Sequence, residues 1–158
     1  MHKTFVGLAV VLTVCLVGSI PGWAKDLHGL GQSVVDGDEF ILCEKGTCVN
    51  IRLCGIDTPS KNKTGYEETI SALTNMVVGK EVECRPLGEG SVCDEYRGLD
   101  TRGRTIAQCF VEEATVDVGA ALVAARHACD RKRDSGGFYS KDHPEWQCTK
   151  FGEFEVTP

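Results

Sequence analysis

The sequence has no excess of positive charge, although it is rich in charged residues. Of its 158 residues, 23 are Asp or Glu and 17 are Lys or Arg, so the formal net charge is −6. Proteins that coat nucleic acid through their whole surface are basic, and this composition excludes that class. An anionic partner would therefore have to be recognised through a local cluster of basic residues.

Internal repeats, low-complexity tracts and linkers are also absent. A chain of this length without a shift in composition is expected to form one domain. Its residues are 42% hydrophobic and 25% charged, which is ordinary for a globular protein and excludes wholesale disorder.

The sequence lacks an apolar run long enough for a membrane anchor. Such a helix needs about 20 apolar residues, whereas the N-terminal run covers only residues 5–17. A lysine precedes this run, and Gly22 and Ala24 place small residues at positions −3 and −1 of a cleavage site. This pattern is typical of a secretory signal peptide. We therefore expect residues 1–24 to be removed and residues 25–158 to be exported, to the periplasm or the extracellular space, without further contact with the membrane.

The cysteines lack the arrangement of a metal site. Zinc sites combine closely spaced cysteine pairs with a second pair or with histidines; only Cys43 and Cys48 come near that spacing, and no histidine lies beside them. After signal removal eight cysteines remain, and an even number in an exported chain predicts up to four disulfides. The disulfide candidates are Cys43, Cys48, Cys54, Cys84, Cys93, Cys109, Cys129 and Cys148.

The spacing of these cysteines does not determine how they pair. Cys43 and Cys48 flank a tight turn between two predicted strands and can pair across it if the hairpin geometry allows. One consistent full set joins Cys43–Cys48, Cys84–Cys109 and Cys129–Cys148, leaving Cys54–Cys93. Only the first pair has a local argument behind it.

Hydrophobic periodicity predicts short strands interleaved with two helices. The predicted strands are 34–42 (interrupted by Asp-Gly), 49–56, 80–85 and 104–111, and the predicted helices are 66–78 and 117–128. The first two strands are expected to form a hairpin. Residues 86–103 form a Gly-rich excursion, and residues 129–158 form an irregular C-terminal tail outside a core of about 31–128. This order suits a small barrel with helices packed outside it, such as an OB-type barrel.

Acidic and basic side chains cluster near the ends of these strands. Asp38 and Asp57 lie at the ends of strands that are expected to be neighbours. Two such carboxylates repel each other unless a cation lies between them. Carboxylate oxygens are hard ligands, which favour Ca²⁺ or Mg²⁺. Arg52 and Arg104 lie on nearby strands, and two guanidiniums facing a carboxylate-held cation suit a phosphate. The same spacing also fits a plain Asp-Gly turn and surface salt bridges.

Two local basic clusters accompany these residues. Residues 96–104 contain three arginines and one aspartate, and residues 126–133 contain four basic residues and one aspartate. They predict either a local positive rim or an ordinary solvated surface. Tyr96, Phe138 and Tyr139 are the candidates for stacking on nucleic-acid bases.

Four segments resemble one known family when taken in order. They are VVDGDEF, IRLCGIDTPS, MVVGKEVEC and LDTRGRTIAQC, and they span about Gly31 to Ala128. The chain resembles the staphylococcal-nuclease-like (thermonuclease) family. The resemblance implies an α+β fold, with a five-stranded OB-fold barrel, two or three packed helices and stapling disulfides. It also implies a Ca²⁺-binding enzyme that cuts phosphodiesters of DNA or RNA.

The same resemblance implies roles for individual residues. Asp38 and Asp57 correspond to calcium-binding carboxylates, and Thr58 corresponds to the residue that offers its backbone carbonyl to the metal. Arg52 and Arg104 correspond to the arginines that bind phosphate and stabilise the transition state.

The chain departs from the family at Ser60. Active members have Glu after Asp-Thr-Pro, where it orients or deprotonates the attacking water. Serine is no comparable base at neutral pH, and loss of a general base lowers the rate about 10²–10⁴-fold. Two substitutes for this base are open. Glu39, Glu67 or Glu68 can reach the water from another direction, or metal-bound water can react without a protein base. The base-stacking tyrosine after the second helix and the long last helix of the family are also missing.

The sequence therefore predicts an exported, monomeric, calcium-dependent phosphodiesterase for DNA or RNA with weakened activity. The alternatives are an inactive barrel that binds nucleic acid, oligosaccharide or protein, and a purely structural secreted domain. Ser60 favours the inactive barrel. The retained Asp38, Asp57, Arg52 and Arg104 favour the enzyme, because a pure binding module has no need for that combination.

Overall fold

The computed structural model describes residues 26–95, 100 and 102–149. The predicted signal peptide and Tyr96 lie outside these residues. In chain order the elements are β1 (Leu27–Asp36), β2 (Glu39–Glu44), β3 (Thr47–Leu53), β4 (Ile56–Asp57), α1 (Tyr66–Val77), β5 (Glu81–Pro86), β6 (Thr105–Val111), β7 (Val116–Asp117), α2 (Val118–Ala124), β8 (Cys129–Asp130) and α3 (Lys132–Ser135), followed by two 3-10 helices, Phe138–Ser140 and Pro144–Trp146.

Five of the strands close into a barrel. β1 pairs antiparallel with β2 and β5, β2 pairs antiparallel with β3, and β5 pairs antiparallel with β6. A parallel pairing of β3 with β6 closes the ring. The predicted class, an α+β protein built on an OB-fold-like barrel, is confirmed. Closure leaves neither β3 nor β6 with a free edge on that side, which removes a common route to aggregation.

The predicted strand over residues 34–42 is in fact two strands. β1 ends at Asp36 and β2 begins at Glu39, and these two residues are paired across the turn. The turn consists of Gly37 and Asp38, and the Gly37 N–H donates to Asp36 Oδ1 at 2.8 Å. Asp-Gly therefore reverses the chain rather than interrupting one strand, as Asp and Gly do in tight turns. The predicted hairpin that follows, between β2 and β3, is confirmed.

The first helix matches its prediction and the second is shorter than predicted. α1 buries Thr69, Leu73 and Val77, which lie four residues apart on one face. The prediction of one helix over 117–128 is wrong beyond its first two turns. α2 ends at Ala124, and Arg126 has a left-handed φ of 63°, which a continuing right-handed helix does not permit.

The hydrophobic core fills the barrel and the space beneath the two helices. Its largest fully buried side chains are Phe40, Leu42, Ile51, Leu53, Ile56, Leu73, Leu122, Val77, Val82, Val118 and Val123. Alternate residues of the strands contribute to it, because successive side chains of a strand point to opposite faces.

All eight predicted cysteines form disulfides, with the pairing that the sequence analysis gave as one consistent set. The bonds are Cys43–Cys48, Cys54–Cys93, Cys84–Cys109 and Cys129–Cys148. The first and third join directly opposed residues of neighbouring strands. Four disulfides in one small domain indicate an oxidising environment outside the cytoplasm.

Among the described residues, no helix has both the length and the apolar character that crossing a membrane requires.

The described part of the segment after residue 128, expected to be an irregular tail, packs against the rest of the domain, and Tyr139 contributes to the core. β8 pairs antiparallel with β4, which sets Cys129 opposite Asp57. Asp130 is fully buried, and its carboxylate accepts hydrogen bonds from the hydroxyls of Ser135 and Ser140. These contacts fix the residues of β8 and α3 beside the end of β4.

Candidate functional site

Two of the predicted carboxylates meet at one guanidinium. Arg52, near the end of β3, places Nη2 2.6 Å from Asp38 Oδ2 and 3.9 Å from Asp57 Oδ1. The turn that carries Asp38 is tied to β3, because the Leu53 N–H donates to the Asp38 carbonyl at 2.8 Å. Asp57 is held from the other side by the β4–β8 pairing. The structure thus brings these three predicted site residues together.

Gly37 is the point where the β1–β2 turn touches the segment after Asp57. A Cβ atom at this position would lie 2.6 Å from Thr58 Oγ1 and 2.9 Å from Thr69 Cγ2. A residue with a side chain cannot be placed there without moving its neighbours. Thr58 also directly follows Asp57 in the chain. Thr58, the third predicted metal ligand, therefore lies beside the two carboxylates.

The carboxylates of this site are close enough to perturb one another. Burial raises the pKa of Asp38 to about 6, against the attraction of Arg52, and the charges of Asp36 and Asp57 raise it further. Burial also raises the pKa of Asp57, while Arg131 and Arg52 oppose that rise. Clustered acids with raised pKa values are stabilised by any additional cation that enters the cluster.

The oxygen atoms at this point fit a hydrated hard cation. Asp38 and Asp57 offer carboxylates and Thr58 offers a carbonyl, which are the ligand types that Ca²⁺ and Mg²⁺ prefer. Within the described ranges, no group of three or more His, Cys, Asp or Glu side chains is placed to hold a metal ion. A cation held here would therefore have water or a ligand phosphate in the rest of its coordination shell, as Mg²⁺ often has.

Arg104, the second predicted phosphate-binding arginine, is held by two carboxylates. Its Nη1 donates to Glu39 Oε2 at 2.7 Å and its Nε donates to Asp100 Oδ2 at 2.7 Å. Glu39 also accepts from Asn50 Nδ2 at 2.6 Å. Burial alone would raise the pKa of Glu39, but the hydrogen bonds from Arg104 and Asn50 hold it below its usual range. Glu39, one of the carboxylates considered as a substitute for the general base, is the ionised partner of Arg104.

A polar pocket of about 240 Å³ opens beside these arginines. Four arginines and two aspartates line it, and the disulfide between Cys54 and Cys93 forms part of its wall. The charged residues of the lining are Arg52, Arg102, Arg104, Arg131, Asp100 and Asp134. The pocket is therefore a cationic concave surface that shares Arg52 with the two clustered carboxylates.

The remaining sequence candidates lie away from this pocket. Ser60 is exposed in the loop between β4 and α1. Glu67 and Glu68 are exposed in the first turn of α1, where acids suit the helix dipole, and they line a shallow depression on that helix instead. Tyr139 is buried in the core and is not available for base stacking, whereas Phe138 is 53% exposed.

Arg131 is a site residue that the sequence did not single out. Its N–H donates to the Gly55 carbonyl at 2.8 Å, which continues the β4–β8 pairing and directs the residue into the pocket. Its Nε lies 3.0 Å from Asp134 Oδ2. The only sequence signal was the basic run of residues 126–133, because nothing in the linear pattern showed that β8 pairs with β4.

Comparison with known protein families found no family model that matches the chain, and comparison with curated proteins found no match either. The closed barrel is compatible with an OB fold. A function must therefore be inferred from the side chains of the pocket and of the adjacent carboxylates.

Proposed function

We propose that the protein is an exported, divalent-cation-dependent phosphodiesterase that acts on DNA or RNA with weak activity, as its resemblance to the thermonuclease family implies. The observation that carries the proposal is the meeting of Asp38 and Asp57 at Arg52, next to an arginine-lined pocket. For stability alone the arrangement is costly, since two neighbouring carboxylates are wholly or partly buried and share one guanidinium.

Arg52 is the residue best placed to bind a phosphate. Asp38 holds its Nη2 at 2.6 Å and the Leu53 carbonyl accepts from its Nη1 at 3.4 Å, and these contacts orient the guanidinium beside the pocket. A guanidinium has five N–H donors in a fixed fork, so donors remain for phosphate oxygens. Fixed donors of this kind stabilise the negative charge that grows on those oxygens in the transition state.

Asp38, Asp57 and the Thr58 carbonyl are the groups that would hold the cation. A bound Ca²⁺ or Mg²⁺ supplies Lewis-acid polarisation of a phosphate oxygen. The cation would also compensate the burial, and the neighbouring negative charges, that raise the pKa values of the two carboxylates. Arg104, anchored by Glu39 and Asp100, adds a second fixed positive charge to the same wall.

Weak activity follows from Ser60. A serine hydroxyl does not deprotonate water at neutral pH, and absence of a general base lowers the rate about 10²–10⁴-fold. Glu67 and Glu68 line a separate depression, and Glu39 is committed to Arg104. The proposed chemistry therefore relies on charge stabilisation rather than on proton transfer to the protein.

A second candidate function is a non-catalytic module that binds nucleic acid through the same pocket. It is favoured by the exposed Ser60 and by the two internal contacts that occupy Nε and Nη1 of Arg104. In that case Arg52 and its neighbours would hold the phosphate backbone without cutting it.

The test is a cleavage assay with labelled single-stranded DNA and RNA and the disulfide-bonded protein, in Ca²⁺, Mg²⁺ or EDTA. The variants are Arg52→Ala and Ser60→Glu. The matched control is Arg85→Ala, since Arg85 lies on β5 outside the pocket, over the ring of Phe110 at 4.6 Å. We expect cation-dependent cleavage that Arg52→Ala abolishes, that Arg85→Ala retains and that Ser60→Glu increases by about 10²–10⁴-fold.

The two candidate functions give different results in this assay. If the parent protein binds the labelled strand but never cuts it, and Ser60→Glu gains cleavage, the non-catalytic module is correct. If the parent protein neither binds nor cuts, both are wrong.

A further inference from the structure

Arg102 differs from the other arginines of the pocket because, among the described residues, its guanidinium is in no ion pair, although its charge lowers the pKa of Asp100 and Glu39. Its backbone N–H donates to Asp100 Oδ1 at 2.7 Å, but within the described part of the chain its guanidinium forms no ion pair. By contrast, Arg104 is only 8% exposed and uses two of its nitrogens on carboxylates. Arg102 therefore keeps its hydrogen-bond donors for a ligand, whereas Arg104 largely does not.

Arg131 is also available to a ligand. Its side chain is 32% exposed, and its one ion pair within the described part of the chain joins its Nε to Asp134 Oδ2 at 3.0 Å. Its charge also attracts the Asp57 carboxylate. Asp134 is shared with Arg133, whose Nε lies 2.8 Å from the other carboxylate oxygen. The Asp134 carboxylate thus pairs with two guanidiniums, both through Nε. Neither terminal nitrogen of Arg131 takes part in this pair, and Arg131 lines the pocket.

The lining of the pocket selects against a nucleic-acid base. No aromatic ring lines it among the described residues, so these residues offer a base no surface for stacking, which is how proteins commonly hold single strands. Four guanidiniums against two carboxylates instead favour an anionic group. A tetrahedral phosphate matches both this charge and the small volume of the pocket.

We propose that Arg102 and Arg131 bind a second phosphate group of the nucleic-acid ligand, next to the phosphate that Arg52 faces, and that Arg104 positions this wall rather than binding the second phosphate itself. This proposal rests on the proposed function, since it concerns the same ligand. The second phosphate is either a terminal phosphomonoester or the next diester of the strand. In both cases the site contacts the phosphate backbone of the strand, so binding is independent of base sequence.

The test measures binding of a fluorescein-labelled oligothymidylate by fluorescence anisotropy in EDTA, over a series of salt concentrations. We expect Arg102→Ala and Arg131→Gln each to weaken binding by about 10-fold or more, as loss of a hydrogen-bonded charge contact does. Each variant should also reduce the slope of log K against log salt, by up to about 0.7, the value for one phosphate contact on a single strand.

The salt slope separates binding from a folding defect, because a misfolded fraction lowers the amount of active protein without changing the slope. Arg102→Lys keeps the charge and should keep the slope, and Arg85→Ala should change neither quantity. Trithymidylate with and without a 5′-phosphate identifies the source of the phosphate. If the 5′-phosphate raises affinity in the parent protein but not in Arg102→Ala, the pocket holds a strand end; if both variants weaken the two ligands equally, it holds an internal diester.

Unchanged affinity and unchanged salt slope in both variants, with a parent protein that binds, would overturn this proposal and leave the proposed function intact. A parent protein that does not bind the strand in EDTA would also overturn it, because arginines need no metal to hold phosphate. The cleavage assay with Ca²⁺ or Mg²⁺ then decides the proposed function separately.

Discussion

Two glutamates of the same strand should differ sharply in their contribution to stability. Glu39 and Glu44 are the first and last residues of β2. The side chains of Glu39 and Arg104 are only 7% and 8% exposed, whereas those of Glu44 and Lys45 are 56% and 89% exposed. Exposed ion pairs contribute about 0–1 kcal/mol because water screens them. Removal of one partner from a buried pair typically costs about 3–5 kcal/mol.

Glu39→Gln removes the charge that faces Arg104 and leaves Asp100 as the remaining partner. In the parent protein the two carboxylate oxygens of Glu39 accept hydrogen bonds from Asn50 and Arg104. The glutamine amide has one oxygen, so it can accept only one of these two bonds. Because a hydrogen bond to a charged group contributes about 1.5–3 kcal/mol, and Asp100 retains part of the interaction, we expect the free energy of unfolding to fall by about 2–3 kcal/mol. For Glu44→Gln we expect a change of at most about 0.5 kcal/mol.

The measurement is urea unfolding of the disulfide-bonded protein at neutral pH. The midpoints can be compared only if the variants share the same dependence of the unfolding free energy on urea concentration. Equal losses for the two variants, or a more stable Glu39→Gln protein, would show that the pair with Arg104 does not organise this part of the barrel.

Three further predictions concern the supports of the site. Gly37→Ala places a methyl group against Thr58; we expect a loss of about 1–3 kcal/mol from overpacking, measured by thermal unfolding, together with weaker oligonucleotide binding. Replacing both cysteines of Cys54–Cys93 should cost about 4 kcal/mol, against about 2 kcal/mol for Cys43–Cys48, because the closed loops differ in length; equal shifts in denaturation midpoint would contradict this. Burial alone would raise the pKa of Asp94, but hydrogen bonds from neighbouring N–H and hydroxyl groups hold it below its usual value. Ionised Asp94 therefore stabilises the folded protein above the unfolded pKa, and this stabilisation is lost as pH falls through the lower folded pKa. Asp94→Asn should therefore flatten the acid side of the stability curve below about pH 4, and an unchanged curve would contradict this.

The parts of the fold that sequence predicted are those with local signals. The β2–β3 hairpin follows from alternating apolar residues around a short Lys-Gly turn, and Cys43 and Cys48 flank that turn. The stripe of α1 follows from apolar residues at helical spacing. The end of α2 was missed because Arg126 adopts a left-handed conformation, for which arginine gives no sequence signal.

The parts of the site that sequence missed depend on contacts between distant residues. Glu39 and Arg104 are 65 residues apart and meet only because β3 pairs with β6 across the barrel closure. Arg131 reaches the pocket only because two-residue strands, β4 and β8, pair beside it. Such short strands leave no periodic pattern, so the basic run was visible in the sequence but its position was not.

The cation-dependent rate of phosphodiester cleavage tests the central claim most directly. With labelled single-stranded DNA and the disulfide-bonded protein, we predict slow product formation in Ca²⁺ or Mg²⁺, none in EDTA, and none from Arg52→Ala in any buffer. Product that forms equally fast in Arg52→Ala, or a parent protein that forms none under all three conditions, would contradict the assignment of a phosphodiesterase site to Asp38, Asp57 and Arg52.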